Sequence, residues 1–209
     1  MLEELSITAV MGPGKTVYNI SSSALKTLYL SLCVKEYGDS EIVVIVDAPI
    51  LDYLCIEDDC FVLGIANDKN WPVFPNLTHL GFDDVGCKSL PNLLNGVPNL
   101  CTMVFTKVPL LDSFEPSEQF YWFEPQGVPS CFRCTLKEIT VSGIDGLQDE
   151  RDLVKYFLEN AIVLEKMTIG YRMLSMKEEA EFLRLLVRQL VLDLRFWFAG
   201  LMDFFPFTE

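Results

Sequence analysis

The pattern Leu-x-x-Leu-x-Leu, with other apolar residues allowed at its three marked positions, occurs seven times in this chain of 209 residues. It stands at Leu2-Leu5-Ile7, Leu25-Leu28-Leu30, Leu51-Leu54-Ile56, Leu77-Leu80-Phe82, Leu100-Met103-Phe105, Leu136-Ile139-Val141 and Leu164-Met167-Ile169. The steps between leading positions are 23, 26, 26, 23, 36 and 28 residues. Such a period constrains the fold more than any single residue does, because each unit is too small to bury its own apolar face. In the closing Leu-x-Leu two apolar side chains point to the same side of a strand, and the leading Leu tucks in at the turn into it. Stacked in chain order, the units make a parallel sheet over one continuous core. Half of the residues are apolar, enough to fill it.

The spacing therefore predicts an α/β leucine-rich-repeat solenoid, with parallel strands and helical or irregular outer connections. Pro75-Asn76 and Pro98-Asn99 stand before two leading leucines, where proline ends the preceding element and sets the turn into the strand. Among the connections, Leu90–Gly96 reads as a short helix, with Pro near its start and Gly past its end. Residues Glu150–Asn160 read as a longer one, with an apolar stripe of Leu153, Val154, Phe157, Leu158 and Ala161 and acidic residues in its first turn. Ser175-Met176-Lys177-Glu178 is a capping box for a further helix. Val17–Ile20 and Val43–Val46 are β-branched and read as additional strands. The 36-residue step holds an insert, Phe114–Pro129, with Phe120-Tyr121-Trp122-Phe123 inside it. That aromatic run either folds back over the core or serves as a contact site; large aromatics favour burial.

The net charge of −14, from 30 acidic against 16 basic residues, repels phosphate backbones and anionic bilayers, so neither nucleic acid nor membrane is expected as a partner. The tail from Leu190 to Phe207 is very apolar, but Asp193, Arg195 and Asp203 break it too often for a transmembrane span. It is expected to cap the open end of the stack. Seven cysteines, an odd number, and a start without a basic segment and apolar run point to a reducing compartment, cytoplasm or nucleus.

Three motifs carry a sharper reading beside a plainer one. Ala9–Thr16 has a relaxed Walker A spacing with Lys15 near its end, which would make a nucleotide-binding switch. A phosphate cradle needs a helix after the loop, whereas the serine-rich, β-branched segment after Lys15 favours a strand, and Pro13 removes an N–H. A glycine-rich hairpin turn is the plainer reading. Cys131-x-x-Cys134 has the spacing of half a zinc site, but His79 is the only histidine; buried core thiols are favoured, and no metal or cofactor is expected. Glu57-Asp58-Asp59 and Asp83-Asp84 follow strands and read as solvated turns. With one histidine and no nucleophile–base constellation, the chain is not read as an enzyme and no catalytic residue is assigned.

Several segments carry a family resemblance: Ser22-Ser23-Ala24-Leu25-Lys26-Thr27-Leu28, Asp47-Ala48-Pro49-Ile50-Leu51-Asp52-Tyr53-Leu54, Phe74-Pro75-Asn76-Leu77-Thr78-His79-Leu80, Val128-Pro129-Ser130-Cys131-Phe132 leading into Leu136-Lys137-Glu138-Ile139, and Leu153–Ala161 followed by Leu164-Glu165-Lys166-Met167. From Leu2 to Leu186 the chain resembles plant F-box/LRR/FBD proteins, with the last two sets resembling the FBD region. The resemblance implies repeats over residues 1–112 and an FBD-type region over 113–209 that continues the stack. It implies a protein-binding module similar to the substrate-recognition part of an SCF-type ubiquitin ligase, with a protein substrate as partner. Docking on a Skp-type adaptor needs an F-box, and none is read in this chain. The family pattern also implies a short final strand after the Ser175 helix, whereas the chain runs on through Val191–Phe198 to Phe207. A truncated product without function stands as an alternative.

Alternation assigns the partner surface. The x positions of the stacked strands form one outward face, carrying Ser6, Tyr29, Cys55, Gly81, Val104, Thr140 and Thr168, with Glu4, Thr27, Tyr53, His79, Thr102, Glu138 and Lys166 two residues earlier. Tyr29, Tyr53 and His79 are the candidate anchors; Tyr121 and Trp122 are the candidates if the insert makes the contact instead.

Overall fold

The computed structural model describes residues 1–11, 14–34, 41–57, 63–64, 73–83, 90–107, 122, 124–172 and 195–198. In chain order the elements are β1 (Glu4–Met11), β2 (Lys15–Ser21), β3 (Thr27–Val34), β4 (Glu41–Asp47), β5 (Tyr53–Glu57), β6 (Leu63–Gly64), β7 (His79–Asp83), α1 (Leu90–Asn95), β8 (Thr102–Thr106), α2 (Ser130–Cys134), β9 (Glu138–Ile144), α3 (Gln148–Asn160), β10 (Lys166–Tyr171) and β11 (Arg195–Phe198).

The fold is α/β. Eight strands form one sheet in the order β1-β3-β5-β7-β8-β9-β10-β11, and every neighbouring pair is parallel. All seven pattern segments thus lie side by side in chain order. Their register is uniform: Leu5, Leu28, Leu54, Leu80, Met103, Ile139 and Met167 form one row, and Ile7, Leu30, Ile56, Phe82, Phe105, Val141 and Ile169 the next.

The leading leucine fixes that register. Leu25, Leu51, Leu77, Leu100 and Leu136 are fully buried, each contributing about 1.5–3 kcal/mol by leaving water. The carbonyl just after each leading position accepts two N–H groups from the next repeat. Glu3 takes those of Lys26 and Thr27, Lys26 those of Asp52 and Tyr53, Asp52 those of Thr78 and His79, and the same geometry continues through Thr78, Cys101 and Lys137. The Pro-Asn pairs do more than break the preceding element. Asn76 Nδ2 donates to the Pro49 carbonyl and Asn99 Nδ2 to that of Pro75, each at 2.7 Å, and Thr135 Oγ1 reaches the Pro98 carbonyl at 3.2 Å.

β2, β4 and β6 form a second parallel sheet, so the β-branched segments at 17–20 and 43–46 are strands as expected. Their Ile20, Val44 and Val46 join the same core as the leucines. Further along, α1 buries Leu90, Leu93 and Leu94, and α3 buries Leu153, Val154, Tyr156 and Phe157.

Three expectations need correction. The turn after β1 is not a hairpin turn: β2 does not pair with β1 but lies in the second sheet with β4. Asp83 is not solvated; it is 2% exposed at the end of β7. Finally, the final strand implied by the family pattern is present within the apolar tail, as β11, with Met167 opposite Phe196 and Ile169 opposite Phe198. Phe196-Trp197-Phe198 supplies the alternating apolar pair, and Asp193 at the leading position hides it from a search for leucine. The helix read at Ser175–Glu178 lies outside the described residues, as do Phe120, Tyr121 and Phe123.

Candidate protein-docking face

The rows between the buried ones face outward. Parallel pairing sets Tyr53 opposite His79, and Tyr29 opposite Cys55, one position further along the face. The rings follow: Tyr29 and Tyr53 lie 5.1 Å apart between centroids, and Tyr53 stacks on His79 at 6.2 Å. Tyr29 is 36% exposed and His79 is exposed, while Tyr53 between them is half-buried. Burial pushes the Tyr53 phenol up to about 12, with Cys55 and Tyr29 adding to the effect. Three predicted anchors therefore form one continuous aromatic ledge across β3, β5 and β7. His79 is held from below, because Thr78 Oγ1 lies 2.7 Å from its Nδ1 and in turn donates to Asp52 Oδ1.

Trp122 does not join that ledge. Half-buried, it packs on Tyr156 at 5.5 Å and edge-on to Phe157 at 6.1 Å, covering α3. Phe132 completes the cluster, 5.8 Å from each of those two rings. The buried Tyr156 hydroxyl has no hydrogen-bond partner among the described residues, and burial, followed by Glu124 and Cys131, pushes its phenol up to about 12. Cys131 is fully buried beside this cluster, and burial raises its thiol to about 11, whereas Cys134 is exposed. The two thiols of the Cys-x-x-Cys motif thus stand in different surroundings, and no cluster of three metal-ligand residues occurs among the described residues. Lys15 opens strand β2, so the loop before it leads into a strand where a phosphate cradle needs a helix N-terminus.

Residue types alone did not signal a charge cluster built around the buried Glu150. At the C-terminal ends of β8 and β9, Lys107 Nζ donates to Glu150 Oε1 at 2.6 Å and to Asp145 Oδ2 at 2.7 Å. Glu150 is wholly buried, and its other oxygen accepts the backbone N–H groups of Asp145 and Leu147, tying the start of α3 to the end of β9. Burial alone would depress the Lys107 ammonium; the two carboxylate bonds outweigh it and hold it above its ordinary value. Arg172 Nη2 donates to the Lys107 carbonyl at 3.0 Å. Gly143 must be glycine here, since its φ is +77° and a Cβ would collide with that carbonyl. This is a structural knot, with every partner already engaged.

With the geometry in place, the relatives can be set beside it. A family model described as FBD matches residues 124–169, which run from the start of α2's approach to the end of β10's alternating segment. An F-box/FBD/LRR-repeat protein of Arabidopsis thaliana is 28% identical over 90% of this chain and 56% of its own length. An F-box/LRR-repeat protein of the same plant is 31% identical over 53% of this chain and 25% of its own length, and another F-box/FBD/LRR-repeat protein is 32% identical over 48% and 21%. No solved structure matches the chain. Residues 124–169 match the FBD family model, and the chain is similar to plant F-box/LRR/FBD proteins. It spans about half of the first relative's length and about a quarter of the others'. No helix among the described residues is long and apolar enough to cross a membrane.

Proposed function

We propose that this chain is a leucine-rich-repeat solenoid that recognises a protein through the outward face of its large sheet, as the substrate-recognition part of an SCF-type ubiquitin ligase. In this reading residues 1–112 are the repeats, and residues 113–209 are the FBD-type region that continues them. The observation that carries the docking face is the aromatic ledge of Tyr29, Tyr53 and His79, three ring side chains in contact on an outward surface of a family whose members are F-box/LRR proteins. Rigid aromatics on a sheet lose little entropy on binding and are common anchors. The unpaired cysteines at 55, 101, 131 and 134 suit a reducing compartment, cytoplasm or nucleus.

The test compares two double variants against a partner isolated by pull-down. Tyr29→Ala/Tyr53→Ala is expected to abolish capture while the protein stays folded. Loss only in Tyr121→Ala/Trp122→Ala would move the contact to the aromatic insert and refute the front-face reading.

A further inference from the structure

Among the described residues, β1 has a strand neighbour on one side only: it stands at the end of the large sheet, paired with β3. Its other side leaves bare what the later repeats cover. Leu2 holds the leading position that Leu25, Leu51, Leu77, Leu100 and Leu136 fill at 0% exposure, yet Leu2 is 60% exposed. Leu5, Ile7 and Ala9 are only partly buried, whereas their partners in register, Leu28, Leu30 and Leu32, are buried.

The register tells which backbone groups line that edge. Thr27, opposite Glu4, donates its N–H to the Glu3 carbonyl, so Thr27 faces β1 and Glu4 faces away from β3. Alternation then turns the N–H and C=O groups of Glu4, Ser6, Thr8 and Val10 to the free edge. Edges of this kind are ordinarily blunted by lysine, proline or a bulge. β1 contains no lysine, arginine or proline, and it pairs with β3 in unbroken register from Glu4 to Met11.

The strand is also complementary to its own reverse. An antiparallel pairing centred on Ile7 sets Ser6 opposite Thr8 of a second copy, and Glu4 opposite Val10. These four are the edge-facing residues, so each such pair exchanges two main-chain hydrogen bonds. Between them Ile7 meets Ile7 and Leu5 meets Ala9, apolar against apolar on the core side. The two Glu4 carboxylates fall at opposite ends of the ladder, so the pairing sets no like charges opposite each other.

We propose that a second copy of this chain covers the edge. Two β1 strands pair antiparallel about a two-fold axis at Ile7 and join the two large sheets into one. The axis stands perpendicular to the sheet, so both outward faces look to the same side. The two β3 strands, which carry Tyr29, lie three strand spacings of about 4.8 Å, or about 14 Å, apart. A partner docking on the front would thus meet two copies of the ledge side by side. That consequence rests on the reading of the front as the docking face; the dimer itself does not.

The experiment follows the full chain by sedimentation velocity over about 1–100 μM. A mass of two chains that dissociates on dilution is expected. Because each copy carries −14, added salt is expected to strengthen the dimer. Thr8→Pro removes an N–H that only the second copy would use and leaves the β1–β3 bonds in place. It is expected to raise the Kd at least about tenfold, with circular dichroism and the thermal midpoint unchanged. Ile7→Cys sets two thiols across the axis, in a pair whose Cα atoms stand about 4.5 Å apart, within disulfide reach. Mild oxidation with diamide is expected to give a covalent dimer that neither the unaltered chain, with its seven cysteines, nor Ile7→Cys/Thr8→Pro gives. If Thr8→Pro fails to fold, the Ile7→Cys cross-link decides alone. A single-chain mass up to about 100 μM would overturn the proposal. So would a dimer that Thr8→Pro leaves intact and Ile7→Cys does not cross-link, because it would use another surface. Growth into long polymers would overturn it in favour of head-to-tail contact between β1 and the far end of the sheet. The Tyr29 and Tyr53 variants judge the docking face separately, so either reading can fail alone.

Discussion

The first and last thirds of the large sheet share one front and have different backs. After β1 and β3, and again at β6 after β5, the outgoing chain forms strands of a second parallel sheet. From β7 onward the connections contain helices, ending with the 13-residue α3 between β9 and β10. The hydrogen-bond ladder at the strand starts is the same in both parts. The front therefore does not depend on what covers the rear; it depends on the buried leading leucine and the carbonyl after it. The rear decides where charge can be buried. In the first part the ion pair Lys26–Glu3 lies in water, its side chains 53% and 61% exposed. In the last part the N-terminus of α3 carries Glu150 into the interior, where Lys107 meets it.

That contrast is broken most severely by Lys107→Ala. It leaves Glu150 buried without its cation, and the expected loss is about 3–5 kcal/mol, read from the urea midpoint. A loss below about 1 kcal/mol would mean that the knot is solvated in solution. In the first part the largest effect belongs to packing: Leu54→Ala, at a site 1% exposed, is expected to cost about 2–5 kcal/mol. A third measurement concerns pH. The Cys131 thiol is raised to about 11 in the fold from an ordinary 9.0, so the native state keeps its proton after the unfolded state has begun to lose it. Its contribution is fully present below pH 9.0 and fades as pH rises towards about 11. Stability should therefore fall across that window, and Cys131→Ala should flatten this part of the curve while lowering the whole of it. The smallest effect is that of Lys26→Ala, at about 0–1 kcal/mol, because an exposed pair is screened by water. A larger loss there would erase the distinction between the two ends.

Leucine at fixed offsets made the front legible, because the same burial requirement recurs at every repeat. Leu25, Leu51, Leu77, Leu100 and Leu136 fill equivalent buried positions and so left equivalent marks. Where the mark is missing the reading failed: Asp193 stands where a leucine would announce β11. Alternation identified Tyr29, Tyr53 and His79 as outward-facing, and their stacking needed only the register. The close approach of Cys55 to Gly81 required knowing that the two stand opposite each other, a fact of pairing between segments 26 residues apart. Lys107 and Glu150 were illegible for a similar reason: they are 43 residues apart and meet only because α3 starts where β8 ends. Asp83 misled because an acidic pair after a strand is ordinarily wet, and here the strand end is covered.

The uneven repeat length has a practical consequence. Between Leu100 and Leu136 the chain takes 36 residues where neighbouring steps take 23 and 28, yet Met103 still faces Ile139 without a slip. Chain length between two paired strands enters through the entropy of a longer connection, which grows with the logarithm of its length. Length between strands can thus be gained or lost cheaply, while the front is held to a fixed ruling. A fluorescent protein or an affinity tag spliced into the 36-residue step would leave the front face as it was, giving a reporter that does not compete with whatever binds there.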